Sequence, residues 1–217
     1  QFAVRLERNC LPGQLFNYAF GVLNNFPTLN TVAEYEVVKL DDQGNVVSTH
    51  LLGLDKLLKL HETNGTDPES GFDPQNPYVN RDPRFYRDII YHGSMFKGKW
   101  INTAPGADAI NAANSTSTGY FTRKYFDGYY TKGMSGNWNF DAPLIRLATI
   151  YLVYAEAVTR SKGATPEVYN LMNELRARSF MAPIPPAAQT NKELLLDYIL
   201  RERRVELYHE KSRFFST

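Results

Sequence analysis

Ile145-Arg-Leu-Ala-Thr-Ile-Tyr-Leu-Val-Tyr-Ala-Glu-Ala157 is the stretch whose reading decides the fold. With Leu144 just before it, Leu147, Ala148, Tyr151, Leu152 and Ala155 fall at i, i+3, i+4, i+7, i+8 and i+11, one apolar helical face. Pro143 suits the first turn and Gly163 the C-terminal cap. A second helix follows from Pro166 through Val168, Leu171, Met172 and Leu175, with Thr165 as its N-cap and Glu167 near the positive end of the dipole. Two antiparallel helices joined by a few residues, with Tyr and Ala on the packed faces, form the pattern of a tetratricopeptide-type hairpin. One such pair cannot bury its own face and needs neighbouring helices.

Moving toward the C-terminus, Met181-Ala-Pro-Ile-Pro-Pro-Ala187 reads as a rigid extended linker. Thr190-Asn191-Lys192-Glu193 has the spacing of a capping box, in which the Thr hydroxyl and the Glu carboxylate satisfy two orphan amides. The helix it opens uses Leu194, Leu195, Tyr198, Ile199, Val205 and Tyr208. Residues 141–217 are therefore expected to be a helical, tetratricopeptide-like region.

Toward the N-terminus the pattern changes, and residues 1–140 read as an irregular, mixed lobe. Tyr35 to Leu40 and Val46 to Thr49 flank Asp41-Asp42-Gln43-Gly44-Asn45, a hairpin signal with Gly and Asn free to take positive φ. A short helix with Leu51, Leu54, Leu58 and His61 at helical spacing is expected to end near Asn64-Gly65, before the Pro-, Gly- and Asp-rich Thr66 to Asn80. Asp82-Pro83 opens a further ordered piece, Arg84 to Tyr91. From Gly93 to Asn139 Gly, Asn, Ser and Thr dominate, with aromatics embedded throughout.

Bulk properties exclude several classes. The 217 residues hold 24 Lys and Arg against 23 Asp and Glu, so no field exists to attract polyanions and nucleic acid is not an expected partner. Cys10 is the single cysteine, which rules out an intrachain disulfide; its neighbours are not those of a lipid-accepting cysteine, and it reads as a small buried hydrophobe. Leu144 to Val158 is broken by Arg146 and Glu156 and falls short of the ~20 apolar residues a membrane span needs. His50, His61, His92 and His209 lack metal-ligand spacing, and Asp41-Asp42-x-Gly44 lacks the ligand ladder of a calcium loop. No nucleophile elbow, phosphate loop or dinucleotide fingerprint occurs, so neither a cofactor nor a catalytic residue is assigned.

Four segments carry a resemblance. Asn76-Pro-Tyr-Val-Asn-Arg-Asp-Pro-Arg-Phe-Tyr86, with Ile89, Tyr91 and Gly93, resembles the Asn-x-Asp-Pro-Arg-Phe signature of the SusD/RagB family. Thr118-Gly-Tyr-Phe-Thr-Arg-Lys-Tyr125 is similar to its Gly-Tyr-x-x-Arg-Lys-aromatic strand. The opening stretch, residues 145–157, is similar to its Arg-Leu-Ala-Glu-x-Tyr-Leu-x-Tyr-Ala-Glu-Ala helix. Leu200-Arg-Glu-Arg-Arg-Val-Glu-Leu-Tyr-His-Glu210 with Arg213-Phe214 resembles its Glu-Arg-Arg signature. Departures are Thr149 for the usual Glu, Lys211 for Gly, and Phe215-Ser216 for Trp-Asp. Together the segments span roughly residues 50–215 in the family's order.

The resemblance implies a mainly α fold: tetratricopeptide-like helical hairpins of the SusD type, four in a whole member, with an appended irregular, partly β lobe. The chain is accordingly expected to be the C-terminal portion of one SusD-like domain. The resemblance also implies a non-enzymatic, cell-surface lipoprotein of the outer membrane, held by a lipid anchor outside this chain. Such a protein captures a nutrient, typically an oligosaccharide, and works with a TonB-dependent transporter of the SusC type. Alternative readings are a tetratricopeptide-type adaptor for protein partners and a glycan-processing enzyme.

Two groups of residues carry expectations about chemistry. Glu202, Arg203, Arg204, Glu206 and Glu210 crowd one helix; the i, i+4 carboxylates invite an acid/base reading, but the interleaved arginines favour structural ion pairing, with Arg213 closing the network. Arg81-Asp82-Pro83-Arg84 reads as a braced turn. For ligand binding, Tyr120 and Tyr125 belong to the family framework. Trp100, Tyr129, Tyr130 and Trp138 lie outside it, beside Gly, Asn and Lys. Their rings can stack on the apolar C–H face of a sugar while polar neighbours read its hydroxyls, and they are the candidate ligand-binding residues.

Overall fold

A computed structural model describes residues 26–104, 116–125, 143 and 145–210. Helices dominate them: α1 (Leu29–Ala33), α2 (Gly53–Thr63), α3 (Pro83–Asp88), α4 (Leu147–Lys162), α5 (Pro166–Arg178) and α6 (Lys192–Glu206). Six short strands, β1 (Val37–Leu40), β2 (Val46–His50), β3 (Ile89–Ile90), β4 (Met95–Phe96), β5 (Lys99–Trp100) and β6 (Phe121–Thr122), pair as three two-stranded antiparallel ribbons. The chain forms two compact units, one of residues 33–84 with 143–217 and the other of residues 1–32 with 85–142.

In the helical unit, α4 turns Ala148, Leu152, Ala155 and Thr159 inward at helical spacing, each 4% exposed or less. Val168, Met172 and Leu175 of α5 and Leu195 and Ile199 of α6 complete the same core. Gly163 takes φ 84° and its amide closes α4 on the Thr159 carbonyl. Thr165 caps α5, its hydroxyl accepting from the Val168 amide at 3.4 Å, with Pro166 at the first position. The linker is pinned to α5 along its length: the Tyr169 hydroxyl donates to the Ile184 carbonyl (2.9 Å), Asn173 accepts from the Ile184 amide (2.9 Å), and Arg176 Nε donates to the Ala182 carbonyl (2.8 Å).

Four expectations need correction. Helix α4 starts at Leu147, so Pro143 lies ahead of it and Leu147 is 62% exposed. Arg146 sets that start: it is extended (φ −132°, ψ 166°), and its guanidinium caps the end of α6 by donating to the Glu206 carbonyl at 2.6 Å. The capping box at Thr190 does not form. Thr190 ends a 3₁₀ turn over Pro186–Gln189, and Asn191 is the cap, its Oδ1 accepting from the Leu194 amide at 3.1 Å. Glu193 then falls one position short of where a box needs its carboxylate. On α2, Leu57 is the inward residue (2% exposed) and Leu58 faces out. In the hairpin turn Gly44 takes φ 82°, but Asn45 keeps negative φ, because its amide and Nδ2 are both held by the Asp41 carboxylate (2.8 and 3.1 Å).

In the other unit, β3 pairs with β6 through Ile89↔Thr122 and Ile90↔Phe121, all four side chains buried. Phe85 stacks on Tyr91 with ring centroids 5.1 Å apart and meets Tyr86 edge-on. Phe96 and Ile101 are buried as well.

Candidate functional site

Trp100 stands on a two-residue β-hairpin. β4 and β5 pair as Met95↔Trp100 and Phe96↔Lys99 across only Lys97 and Gly98, whose φ values are 50° and 75°. Positive φ at both central residues is the geometry that a two-residue hairpin requires. The base of the hairpin is fixed by Gly93, at φ 78°: its amide donates to the Ile101 carbonyl (2.8 Å) while the Ile101 amide donates to Ser94 (2.9 Å). Two residues thus oppose one, a glycine bulge that adds twist. Ser94 Oγ locks the bend by donating to the Tyr91 carbonyl at 2.7 Å, and His92 Nδ1 accepts from the Thr103 amide at 3.2 Å.

Strand alternation then sorts the side chains. Phe96 faces inward, 2% exposed, with the Lys97 ammonium 5.8 Å and the Arg123 guanidinium 5.9 Å from its ring centre. Met95 and Trp100, directly opposite one another, both face out, 51% and 67% exposed. No aromatic ring among the described residues packs on the indole. The result is an exposed apolar surface made by an indole and a thioether, with an indole N–H that no other described residue accepts. Asn102, also exposed, follows two residues along the same strand direction. Tyr129, Tyr130 and Trp138 lie outside the described residues. Met95 was not singled out in the sequence, although a Lys-Gly pair between two short alternating runs is the signal that would have placed it opposite Trp100.

The charged helix is a different kind of site. Arg84, 3% exposed, donates to Asp82 from Nε (3.1 Å) and from its second terminal nitrogen (2.8 Å), and also meets Glu202 and Glu206. Arg176 bridges Glu36 (2.7 Å) and Glu202 (3.2 Å). Arg146 holds Glu206 and Glu210 at 2.7 Å each, and Arg178 pairs with Glu206. Arg203 meets Glu156 at 2.7 Å and Arg204 meets Glu34 at 3.0 Å. Arg81 donates to the Tyr35 and Pro77 carbonyls, bracing the turn as expected. Arg213 lies outside the described residues.

Electrostatics of this cluster argue against acid/base work. Burial alone would raise the Glu206 pKa, yet hydrogen bonds from Arg146 and Arg178 hold it at about 2. Burial acts the same way on Glu36 and is outweighed by Arg176, so its pKa is also lowered. Burial would lower the pKa of Arg84, but Glu202 and Asp82 drive it well above the ordinary value. A general acid works best with its pKa near the operating pH; Glu206 is fixed as an anion and is 1% exposed. Among the described residues no cluster of His, Cys, Asp or Glu could hold a metal ion, and no helix is long and apolar enough to cross a membrane.

The described residues thus hold a packed helical hairpin in one unit and, in the other, an exposed aromatic surface on a short β-hairpin. The sequence profile of the SusD family matches residues 12–216, and the chain belongs to that family. Two solved structures from Bacteroides fragilis NCTC 9343 share the fold. One, described as a SusD-like carbohydrate binding protein, is 23% identical, with a TM-score of 0.68 over 97% of this chain and 37% of its own. The other, a SusD-like protein, is also 23% identical, with a TM-score of 0.65 over 90% of this chain and 36% of its own. The chain therefore spans just over a third of the length of these relatives. No curated protein matches it.

Proposed function

We propose that this chain is part of a non-catalytic, surface-exposed protein that binds a carbohydrate nutrient. It then delivers that nutrient to a TonB-dependent outer-membrane transporter of the SusC type, while held at the outer membrane by a lipid anchor. The exposed Trp100 ring beside Met95 carries the binding part of this reading. A pyranose offers an apolar C–H face rimmed by hydroxyls, and an indole on a stiff two-residue hairpin offers the matching surface with a donor at its edge. Family membership and the carbohydrate-binding relative support the same ligand class. Tyr129, Tyr130 and Trp138 are proposed as further rings of the site.

Isothermal titration of the full-length protein against a panel of oligosaccharides tests the reading. Loss of a stacked ring is worth roughly 1–3 kcal/mol on the scale set by bases on aromatic side chains. Trp100→Ala is thus expected to weaken the best ligand by at least fivefold at unchanged melting temperature. Unchanged affinity in Trp100→Ala, Tyr129→Ala, Tyr130→Ala and Trp138→Ala alike would remove the site from this lobe.

A further inference from the structure

Charge is shared unequally between the two units. The unit that carries Trp100, residues 1–32 with 85–142, holds 8 Lys and Arg against 5 Asp and Glu, whereas the helical unit holds 16 against 18. A chain of net charge +1 therefore keeps its positive excess in the unit with the exposed indole.

That excess gathers at the β4–β5 hairpin. Arg87 is answered by Asp88 at 2.9 Å. Lys97 and Lys99 flank Gly98 at the tip, and Lys99 directly precedes Trp100. The Lys97 ammonium and the Arg123 guanidinium both approach Phe96, 5.8 and 5.9 Å from its ring centre, which brings two cations to one ring. Surface charges act over about 8 Å at physiological ionic strength. Neighbouring strands lie about 5 Å apart, so the indole stands within the reach of this field.

The outer face of the hairpin also has a polar end. Beyond the strands the ladder continues through the glycine bulge, with Gly93 and Ser94 together opposite Ile101, and so His92 comes opposite Asn102. Ser94 and Ile101 are buried while His92, Met95, Trp100 and Asn102 are exposed, which puts these four side chains on one face. Because the Thr103 amide donates to His92 Nδ1 at 3.2 Å, the neutral imidazole carries its proton on Nε2. One face thus combines an apolar pair with a donor of fixed tautomer.

We infer that the ligand of the Trp100 surface is an acidic glycan, a sugar chain bearing carboxylates or sulfate esters. The inference rests on the stacking role given to Trp100 and adds the charge of what stacks there. A uronic acid or a sulfated sugar keeps the C–H face of a neutral pyranose and loses nothing against the indole. Its anion gains from the field of Lys97, Lys99 and Arg123, and the His92 N–H offers a donor to an oxygen of the sugar. Charge complementarity of this kind discriminates against a neutral sugar of the same shape.

Isothermal titration of the full-length protein with two matched pairs tests the inference. One pair is an oligogalacturonate and its carboxyl-reduced form; the other is a sulfated galactan oligosaccharide and its desulfated form. At least one charged member is expected to bind tenfold or more tighter than its neutral partner, and to lose most of that advantage as NaCl rises from roughly 50 to 500 mM. The pair that shows the difference tells carboxylate from sulfate. Lys97→Gln with Lys99→Gln should weaken the charged member at least fivefold. Lys59→Gln with Lys162→Gln, which removes two exposed lysines of the helical unit, should leave it unchanged. Equal affinity within both pairs, with Trp100→Ala still weakening them, overturns the acidic ligand and leaves the stacking role standing. A preference for charge that survives the loss of Lys97 and Lys99 overturns it too. Binding by none of the four probes does the same, and a neutral oligosaccharide of another linkage that binds through Trp100 would then show the stacking role to hold alone.

Discussion

Glu206 concentrates the electrostatics of the helical unit in one side chain. Three guanidinium groups, those of Arg84, Arg146 and Arg178, reach its carboxylate. Unfolded, it titrates near 4.5; folded, it is held at about 2. The folded carboxylate therefore contributes stability that is complete above about pH 4.5 and is lost as pH falls toward 2, on the order of a few kcal/mol. Urea midpoints measured from pH 7 to 3 are expected to drop steeply below 4.5, and Glu206→Gln should flatten that limb while lowering stability at neutrality. An acid limb of equal slope in Glu206→Gln would assign the sensitivity to other carboxylates. The cap of α6 is a second residue-scale case. Asn191→Ala should cost about 1 kcal/mol in thermal or urea unfolding, and Thr190→Ala only a few tenths. The reverse order would restore Thr190 as the cap. Both residue types favour caps, so sequence alone chose between them by the downstream Glu193; the 3₁₀ turn that absorbs Thr190 has no such signature.

At the scale of elements, α4, α5 and α6 were legible because a 3.6-residue period survives across more than three turns of each. Leu152 shows why that signal is robust: it is fully buried, and Leu152→Ala is expected to cost 2–5 kcal/mol in chemical unfolding. A loss below 1 kcal/mol would mean that the hairpin core is not as packed as its burial indicates. The ends of the same helices were not legible, since the start of α4 depends on Arg146 capping α6 at the Glu206 carbonyl, a contact 60 residues away. For the β4–β5 platform the legible part was Trp100, a large ring amid turn-forming residues. Its partner Met95 was hidden, because two-residue strands are too short for alternation to stand out. The face of α2 was misread for a related reason: Leu57 and Leu58 are adjacent, and only tertiary packing decides which turns inward.

For the whole molecule, the Glu-Arg-Arg signature ties distant segments together. Among the described residues, Asp82, Glu36, Glu202, Glu206 and Glu210 contact Arg84, Arg176, Arg146 and Arg178, and the field of Arg201 also acts on Glu36, so five carboxylates face five guanidinium groups. Removing one partner of a buried pair leaves an uncompensated charge and costs about 3–5 kcal/mol. Arg84→Ala should accordingly lower the melting temperature of the full-length protein while leaving affinity per folded molecule unchanged. A loss of ligand affinity at unchanged melting temperature would instead place Arg84 in the binding site.

The same pairs also set a clock. Arg84 waits 118 residues for Glu202, Glu36 waits 140 for Arg176, and Glu34 waits 170 for Arg204. At ribosomal speeds of roughly 5–20 residues per second, the first of these intervals lasts on the order of ten seconds. Throughout it, the hairpin at 37–50 and the turn at 81–84 have emerged with their arginines and glutamates still solvated. The helical unit cannot close around them until the last helix is made. Its early segments are therefore open to chaperones and proteases for most of synthesis, and a ribosome stalled before residue 202 leaves a chain whose buried charges have nothing to meet.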